Sequence, residues 1–102
     1  MNNLEKAFGN DHKRYEEALA KLINEMKGYL AQLEQQYNNS NYTDLKSISH
    51  NIRNIAGALG LTKLKMLSAF WEEVCDEQGR ADISEYKKIL SAEISSLEKN
   101  KS

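Results

Sequence analysis

The chain has 102 residues, which is enough for one domain with a single hydrophobic core. With 40% hydrophobic and 28% charged residues, the composition is that of a folded globular protein rather than a disordered one. The net charge of −1 provides no broad basic surface for nucleic acid, and no apolar run approaches the roughly 20 residues that cross a bilayer.

Cysteine usage and the N-terminal residues indicate the cellular setting. Cys75 is the single cysteine, so the chain cannot form an internal disulfide. The first residues carry charges and lack the apolar core of an export signal. We therefore expect a cytoplasmic protein with one domain over residues 1–102. The absence of proline permits long, uninterrupted helices throughout.

A short helical turn is predicted at Leu4–Phe8 and ends at Gly9, because glycine adopts the left-handed conformation that closes helices. Asn10 or Asp11 then caps a long helix. Its apolar residues recur every three or four positions, as on one buried face of a helix: Tyr15, Leu19, Leu22, Met26, Tyr29, Leu33 and Tyr37. Ile23 and Leu30 widen this stripe, either as further core residues or as part of an apolar docking surface.

The next helix is predicted to begin after the polar turn at residues 38–41, with Asn41 and Asp44 as a capping pair. Gly60 ends this helix, and Thr62 is predicted to cap its successor. The apolar stripe of the helix consists of Leu45, Ile48, Ile52, Ile55 and Leu59.

Two further helices complete the chain. The first is predicted to direct Leu64, Leu67, Trp71 and Val74 inward, flanked by Met66, Phe70 and Cys75. A turn at residues 79–81 follows, and Asp82 with Glu85 is predicted to cap the last helix. The apolar stripe of that helix consists of Ile83, Tyr86, Leu90, Ile94 and Leu97.

These elements predict an all-α protein, because no run of apolar and polar residues alternates as in a strand. Four amphipathic helices joined by short turns favour an antiparallel up-down four-helix bundle, preceded here by a short extra N-terminal helix. Since four helices can close their own core, we expect a monomer.

His50 is the residue whose position is most informative. At about 100° per residue, the apolar stripe of its helix occupies an arc roughly 80° wide, and His50 lies opposite the centre of that arc. Its imidazole is therefore predicted to point into solvent, away from the core. A histidine in this position is either a functional group or an ordinary surface side chain.

The neighbours of His50 favour a functional group. Lys46 and Arg53 lie one turn to either side, and suit a dianionic phosphoryl group, although both also fit an ordinary solvated face. Asn54 and Gly57 share the surface. Gly57 costs the helix about 1 kcal/mol relative to alanine, and removes bulk that would obstruct a partner. Its alternative role is to relieve packing against a neighbouring helix.

The residues His50–Leu61 resemble the signature of histidine-containing phosphotransfer (HPt) domains, which reads His-x-Leu-Lys-Gly-Ser/Ala-x-x-x-Leu-Gly-Ala/Leu. Here Ile52 and Arg53 stand at the aliphatic and basic positions. The sequence differs from the signature at Asn54, which replaces the usual glycine, and at Ile55, which replaces a small residue. Similarity extends over nearly the whole chain, including Phe8–Asp11, Asn41–Leu45, Leu64, Leu67 and Glu72.

The resemblance implies a phosphocarrier of a two-component phosphorelay. His50 would accept a phosphoryl group from the aspartate of a receiver domain and pass it to another receiver, with response regulators or a hybrid sensor kinase as partners. Glu72 matches a position that orients the imidazole; the neighbouring Glu73, or a purely solvated role for both, is the alternative. Arg53 would stabilise the phosphoryl oxygens, with Lys46 as a weaker helper.

The sequence contains no G-x-x-x-x-G-K-[ST] motif, which predicts a phosphocarrier without its own nucleotide site rather than an enzyme. We also expect no cofactor and no metal, because two histidines and one cysteine lack ligand spacing. His12 is interpreted as a surface residue and Cys75 as a buried, unreactive thiol.

The competing function is a non-transferring helical adaptor or inhibitor, favoured by Asn54. A hydrolase would need convergent catalytic groups that are not found.

Overall fold

A computed structural model describes residues 3–99, and these residues form five α-helices: α1 Asn3–Phe8, α2 His12–Asn38, α3 Tyr42–Leu59, α4 Thr62–Asp76 and α5 Ser84–Lys99. Helices α2 to α5 form a bundle, and α1 packs against α2 and α3. No strand occurs within this part of the chain. The predicted all-α bundle with a short N-terminal helix is therefore confirmed. Across residues 3–99, no helix combines the length and the apolar character needed to span a membrane.

The polar caps and glycines predicted to bound the first helices do so. The side chain of Asp11 accepts the N–H of Arg14 at 3.2 Å, and that of Asn41 accepts the N–H of Asp44 at 3.3 Å. Gly60 adopts a left-handed conformation with φ of 71° at the end of α3. Its freedom there allows the tight α3–α4 turn that sets these two helices side by side.

Two predicted caps are wrong. Thr62 is the first residue of α4 rather than its cap, because the turn at Gly60 leads directly into the helix and leaves Leu61 at the capping position, with no side-chain hydrogen bond. Asp82 accepts the N–H of Ser84 at 2.9 Å, two residues on, and forms no capping pair with Glu85. The physical cause is that α5 begins at Ser84, so Asp82 lies one position too early.

The core is built from apolar residues of all four bundle helices. On α2, Ile23 is buried and Leu30 is half-buried against the core, so the stripe is broadened inward. On α4 the buried face is rotated from the predicted one: Leu67 and Val74 are only half-buried, whereas Leu64, Ser68, Trp71 and Cys75 are buried. Met66 and Phe70 are exposed.

Three buried hydroxyl groups meet inside this core. The hydroxyl oxygen of Tyr86 lies 3.1 Å from that of Ser49 and 3.2 Å from that of Ser68, and Ser68 donates to the carbonyl of Leu64 at 2.9 Å. Since the hydroxyl of Ser68 has only one proton, it must accept from Tyr86, and Tyr86 in turn must accept from Ser49. The network thus joins α3, α4 and α5 with each hydroxyl satisfied.

Burial of Tyr86 predicts a loss of stability in alkali. Burial is the main cause that raises the pKa of Tyr86 from 10.0 to about 12. Above pH 10 the tyrosine ionises in the unfolded chain but stays neutral in the folded protein. The free energy of unfolding therefore falls by about 3 kcal/mol as the pH rises from 10 to 12. We expect the free energy of unfolding in urea to fall more steeply over this range for the wild type than for Tyr86→Phe. Parallel curves for the two proteins would contradict the assignment.

Candidate functional site

His50 lies on the outer surface of α3, as the helical periodicity predicted. Its predecessors Ile48 and Ser49 are buried, whereas the His50 side chain is 54% exposed. The helix turns the imidazole away from the core because the buried stripe occupies the opposite side. The accessible ring of His50 is therefore presented by a helix whose adjacent residues are anchored in the core.

Glu72 and Arg53 contact the imidazole. The Nδ1 atom of His50 lies 3.0 Å from Oε1 of Glu72, which reaches across from α4, and 3.1 Å from Nη2 of Arg53, one turn on along α3. Arg53 also pairs with Glu72, with 3.5 Å between Nη2 and Oε2. The Glu72 side chain is only 14% exposed. An ionisable triad thus forms at the α3–α4 interface.

The two contacts at Nδ1 require opposite protonation states. A guanidinium only donates hydrogen bonds and an ionised carboxylate only accepts them, so Nδ1 cannot bond to both at once. Glu72 is largely withdrawn from water and needs the donor, whereas Arg53, with 36% of its side chain exposed, has other N–H groups for solvent and for Oε2 of Glu72. These requirements favour a proton on Nδ1 that is donated to Glu72.

This tautomer leaves the lone pair on Nε2, across the ring from Glu72. Among residues 3–99, none forms a hydrogen bond with Nε2 of His50. A neutral imidazole with a free nitrogen is a good nucleophile, and the carboxylate on the other nitrogen stabilises the positive charge that develops during attack. The arrangement is thus suited to nucleophilic chemistry on a group delivered from solvent.

Lys46 lies on the same face but is engaged elsewhere. Its ammonium group forms a hydrogen-bonded ion pair with Asp76, and this contact raises the pKa of Lys46. Lys46 precedes His50 by one turn on α3, and Asp76 follows Glu72 by one turn on α4, so the two pairs repeat along antiparallel helices. Sequence reasoning missed Asp76, although its i+4 spacing from Glu72 was the available signal.

Gly57 and Asn54 complete the surface around His50. Asn54 is exposed one turn after the histidine. Gly57 is half-buried, and a Cβ added there would lie 3.9 Å from Cε of Lys65, an ordinary contact. Its backbone carbonyl accepts a hydrogen bond from the Asn3 side chain at 3.5 Å. Relief of helix packing therefore does not require a glycine at position 57.

The other reactive side chains lie apart from this site. Glu73, the alternative acceptor for the imidazole, is exposed and makes no contact with His50, unlike Glu72. His12 is exposed at the start of α2. Cys75 is buried, and burial is the main cause that raises the pKa of its thiol, which disfavours the reactive thiolate. Within residues 3–99, no group of three or more histidine, cysteine or acidic side chains is placed to hold a metal ion.

Comparison with known proteins adds one finding. The model of one protein family, described as the Hpt domain, matches residues 17–99. The matched region contains His50, Arg53 and Glu72, and runs from the first turns of α2 to the end of α5. Neither the curated proteins nor the solved structures gave a match to the chain.

Proposed function

The chain belongs to the Hpt domain family, and we propose that it carries a phosphoryl group on His50 between receiver domains of a two-component phosphorelay. Domains of this family take part in phosphotransfer in two-component signalling. The observation that supports His50 as the carrier is the 3.0 Å contact between its Nδ1 and Glu72, on a ring that is otherwise open to solvent.

In the proposed transfer, the Nε2 lone pair of His50 attacks the phosphorus of an aspartyl phosphate on a receiver domain. The Nε2–P bond forms as the bond from phosphorus to the aspartyl oxygen breaks, and the aspartate leaves as a carboxylate. The imidazole ring gains positive charge, which the Glu72 carboxylate stabilises through the proton on Nδ1. Transfer to a second receiver follows the same path in reverse.

Arg53 is proposed to stabilise the phosphoryl oxygens. Its guanidinium already lies beside the ring, with 3.1 Å between Nη2 and Nδ1, and its long side chain would turn from the Nδ1 side to bring N–H donors to a group on Nε2. Lys46 is a weaker contributor, because the ion pair with Asp76 must loosen before the ammonium group can turn towards His50. Charge neutralisation and positioning are the main requirements of phosphoryl transfer.

Members of this family are phosphocarriers rather than enzymes with a nucleotide site, and we propose the same for this chain. Its partners would be response-regulator receiver domains or a hybrid sensor kinase, and it would act as a cytoplasmic monomer without a cofactor. By family analogy, the divalent metal and the acidic pocket belong to the receiver.

A non-transferring adaptor or inhibitor is the second candidate function. It is favoured by exposed Asn54, whose bulk lies where a receiver would dock.

The test is a two-step transfer assay. Purified receiver domains from the same genome, phosphorylated on aspartate with radiolabelled acetyl phosphate and freed of excess donor, are mixed with the protein. We expect an acid-labile, base-stable label that a second, unlabelled receiver then removes. In parallel, phosphoramidate, a small donor that reacts with imidazoles, tests His50 without a partner in the His12→Gln variant, because His12 is also exposed. Labelling by phosphoramidate but by no receiver would favour the adaptor.

Substitutions at Gly57 separate docking from chemistry. Gly57→Leu is expected to slow transfer from a receiver at least about tenfold, because an obstructed interface readily loses more than 1.4 kcal/mol. Labelling by phosphoramidate and helix content should stay unchanged. Gly57→Ala is the control: since a Cβ fits beside Lys65, it should raise stability by up to about 1 kcal/mol and transfer normally. Loss of the fold in Gly57→Leu would instead make this glycine structural.

A further inference from the structure

We infer that Tyr86 is a positioning residue for the site: its buried hydroxyl joins α3 to α4 directly behind His50 and Glu72 and holds their hydrogen bond in register. Tyr86 would hold this hydrogen bond in the protein at rest, whether or not a phosphoryl group is transferred. An effect of Tyr86 on phosphoryl transfer rests on the proposed function. Tyr86 lies on α5 and does not contact the imidazole, so it would act only through the placement of the two helices.

The contacts of Tyr86 lie next to each member of the pair. Ser49, whose hydroxyl oxygen is 3.1 Å from that of Tyr86, immediately precedes His50 on α3. Ser68, at 3.2 Å, precedes Glu72 by one turn on α4. The Tyr86 ring stacks on Trp71, the neighbour of Glu72, with 5.8 Å between ring centroids and 17° between planes. One side chain thus touches the backs of both helical segments that present the pair.

The pair needs such a constraint because its geometry is exacting. The Nδ1–Oε1 distance of 3.0 Å is a good hydrogen bond, and a slide of α4 along α3 by about 1 Å would take it beyond the useful range. Apolar contacts between helices are non-directional and resist such a slide weakly. The hydroxyls of Ser49, Ser68 and Tyr86 are fully withdrawn from water, so breaking their network would leave buried polar groups unsatisfied. The network therefore selects one register.

Tyr37 provides a matched control. It is a tyrosine that also packs against Trp71, with 6.0 Å between ring centroids, and its hydroxyl also donates one hydrogen bond, to the carbonyl of Ala81 at 2.9 Å. That bond joins α2 to the segment before α5 and does not link α3 with α4. Tyr37→Phe and Tyr86→Phe therefore remove the same atom from similar rings and differ in what the atom connects.

The experiment measures the tautomer of His50 by long-range ¹H–¹⁵N correlation in the full chain at alkaline pH. In the wild type, the form with the proton on Nδ1 should predominate. In Tyr86→Phe, the ratio should shift at least about twofold towards the form with the proton on Nε2, with helix content unchanged. The rate at which phosphoramidate labels His50, followed in a His12→Gln background, should fall about three- to tenfold, since small displacements of reacting groups are costly. Tyr37→Phe should match the wild type in both measurements.

An unchanged tautomer ratio in folded Tyr86→Phe would overturn the inference, and so would equal shifts in the two tyrosine variants. If Tyr86→Phe fails to fold, Ser68→Ala replaces it in the same two measurements, because it removes the α4 partner alone. The two proposals fail separately. A tautomer shift in Tyr86→Phe together with a wild type that takes no label from any receiver would uphold the positioning role and refute phosphotransfer.

Discussion

Replacing His50 with glutamine is expected to leave the protein folded but unable to accept a phosphoryl group from a receiver domain. Glutamine has a similar size, but its amide is not nucleophilic, so no covalent phosphoryl group can form at position 50. The side chain is 54% exposed, and exposed substitutions usually change stability by less than about 0.5 kcal/mol. Radiolabel from a receiver should fall to the background level of the assay, and label from phosphoramidate should fall to the amount that exposed His12 takes up.

His12→Gln is the matched control for this substitution. It removes the other histidine of the chain, which is also exposed. His12 lies at the start of α2, away from the triad of His50, Glu72 and Arg53. It should take up label from a receiver like the wild type. Label retained by His50→Gln and lost from His12→Gln would place the phosphoryl acceptor elsewhere and refute the proposed site.

Loss of the Glu72 carboxylate should produce the second largest effect. Glu72→Ala removes the acceptor of the Nδ1 proton, and a hydrogen bond to a charged group contributes about 1.5–3 kcal/mol, so we expect the transfer rate to fall roughly 10- to 100-fold. Glu72→Gln keeps an oxygen that can accept a hydrogen bond from Nδ1 but loses the negative charge. Its transfer rate should lie between those of the alanine variant and the wild type. Single-turnover transfer from a phosphorylated receiver measures the rates.

Glu73→Gln separates this orienting effect from a change in surface charge. It also removes one negative charge from α4, but from an exposed side chain that does not contact His50. Its transfer rate should equal that of the wild type. Equal losses in Glu72→Gln and Glu73→Gln would show that net charge, rather than the hydrogen bond to Nδ1, governs the reaction.

The outward direction of His50 was predictable from the sequence because one apolar stripe determines where every other residue of a helix points. The bounds of α3 were predictable for a similar reason, since Asn41 and Gly60 act locally on the backbone. The same local reasoning was wrong for Thr62, whose capping role depended on how tightly Gly60 turns the chain. Glu72 was suggested by family resemblance, as periodicity alone did not separate it from Glu73.

The contacts that could not be predicted from the sequence depend on how far each helix is shifted along its neighbour. The ion pair of Lys46 with Asp76 and the hydroxyl network of Ser49, Ser68 and Tyr86 each join residues from different helices. A residue's own helix determines the side on which it lies, but the depth at which two helices meet is set by packing of the whole core. Serines inside helices are usually solvated, so nothing in their local sequence indicated burial.

The measurement that tests the proposed role of His50 most directly is the identity of the phosphorylated atom. The protein is labelled by a phosphorylated receiver, and phosphorus–nitrogen couplings are recorded on ¹⁵N-labelled protein at alkaline pH, where phosphohistidine persists. We predict a single phosphoryl group on Nε2 of His50. A phosphoryl group on Nδ1, or on any residue other than His50, would contradict this role.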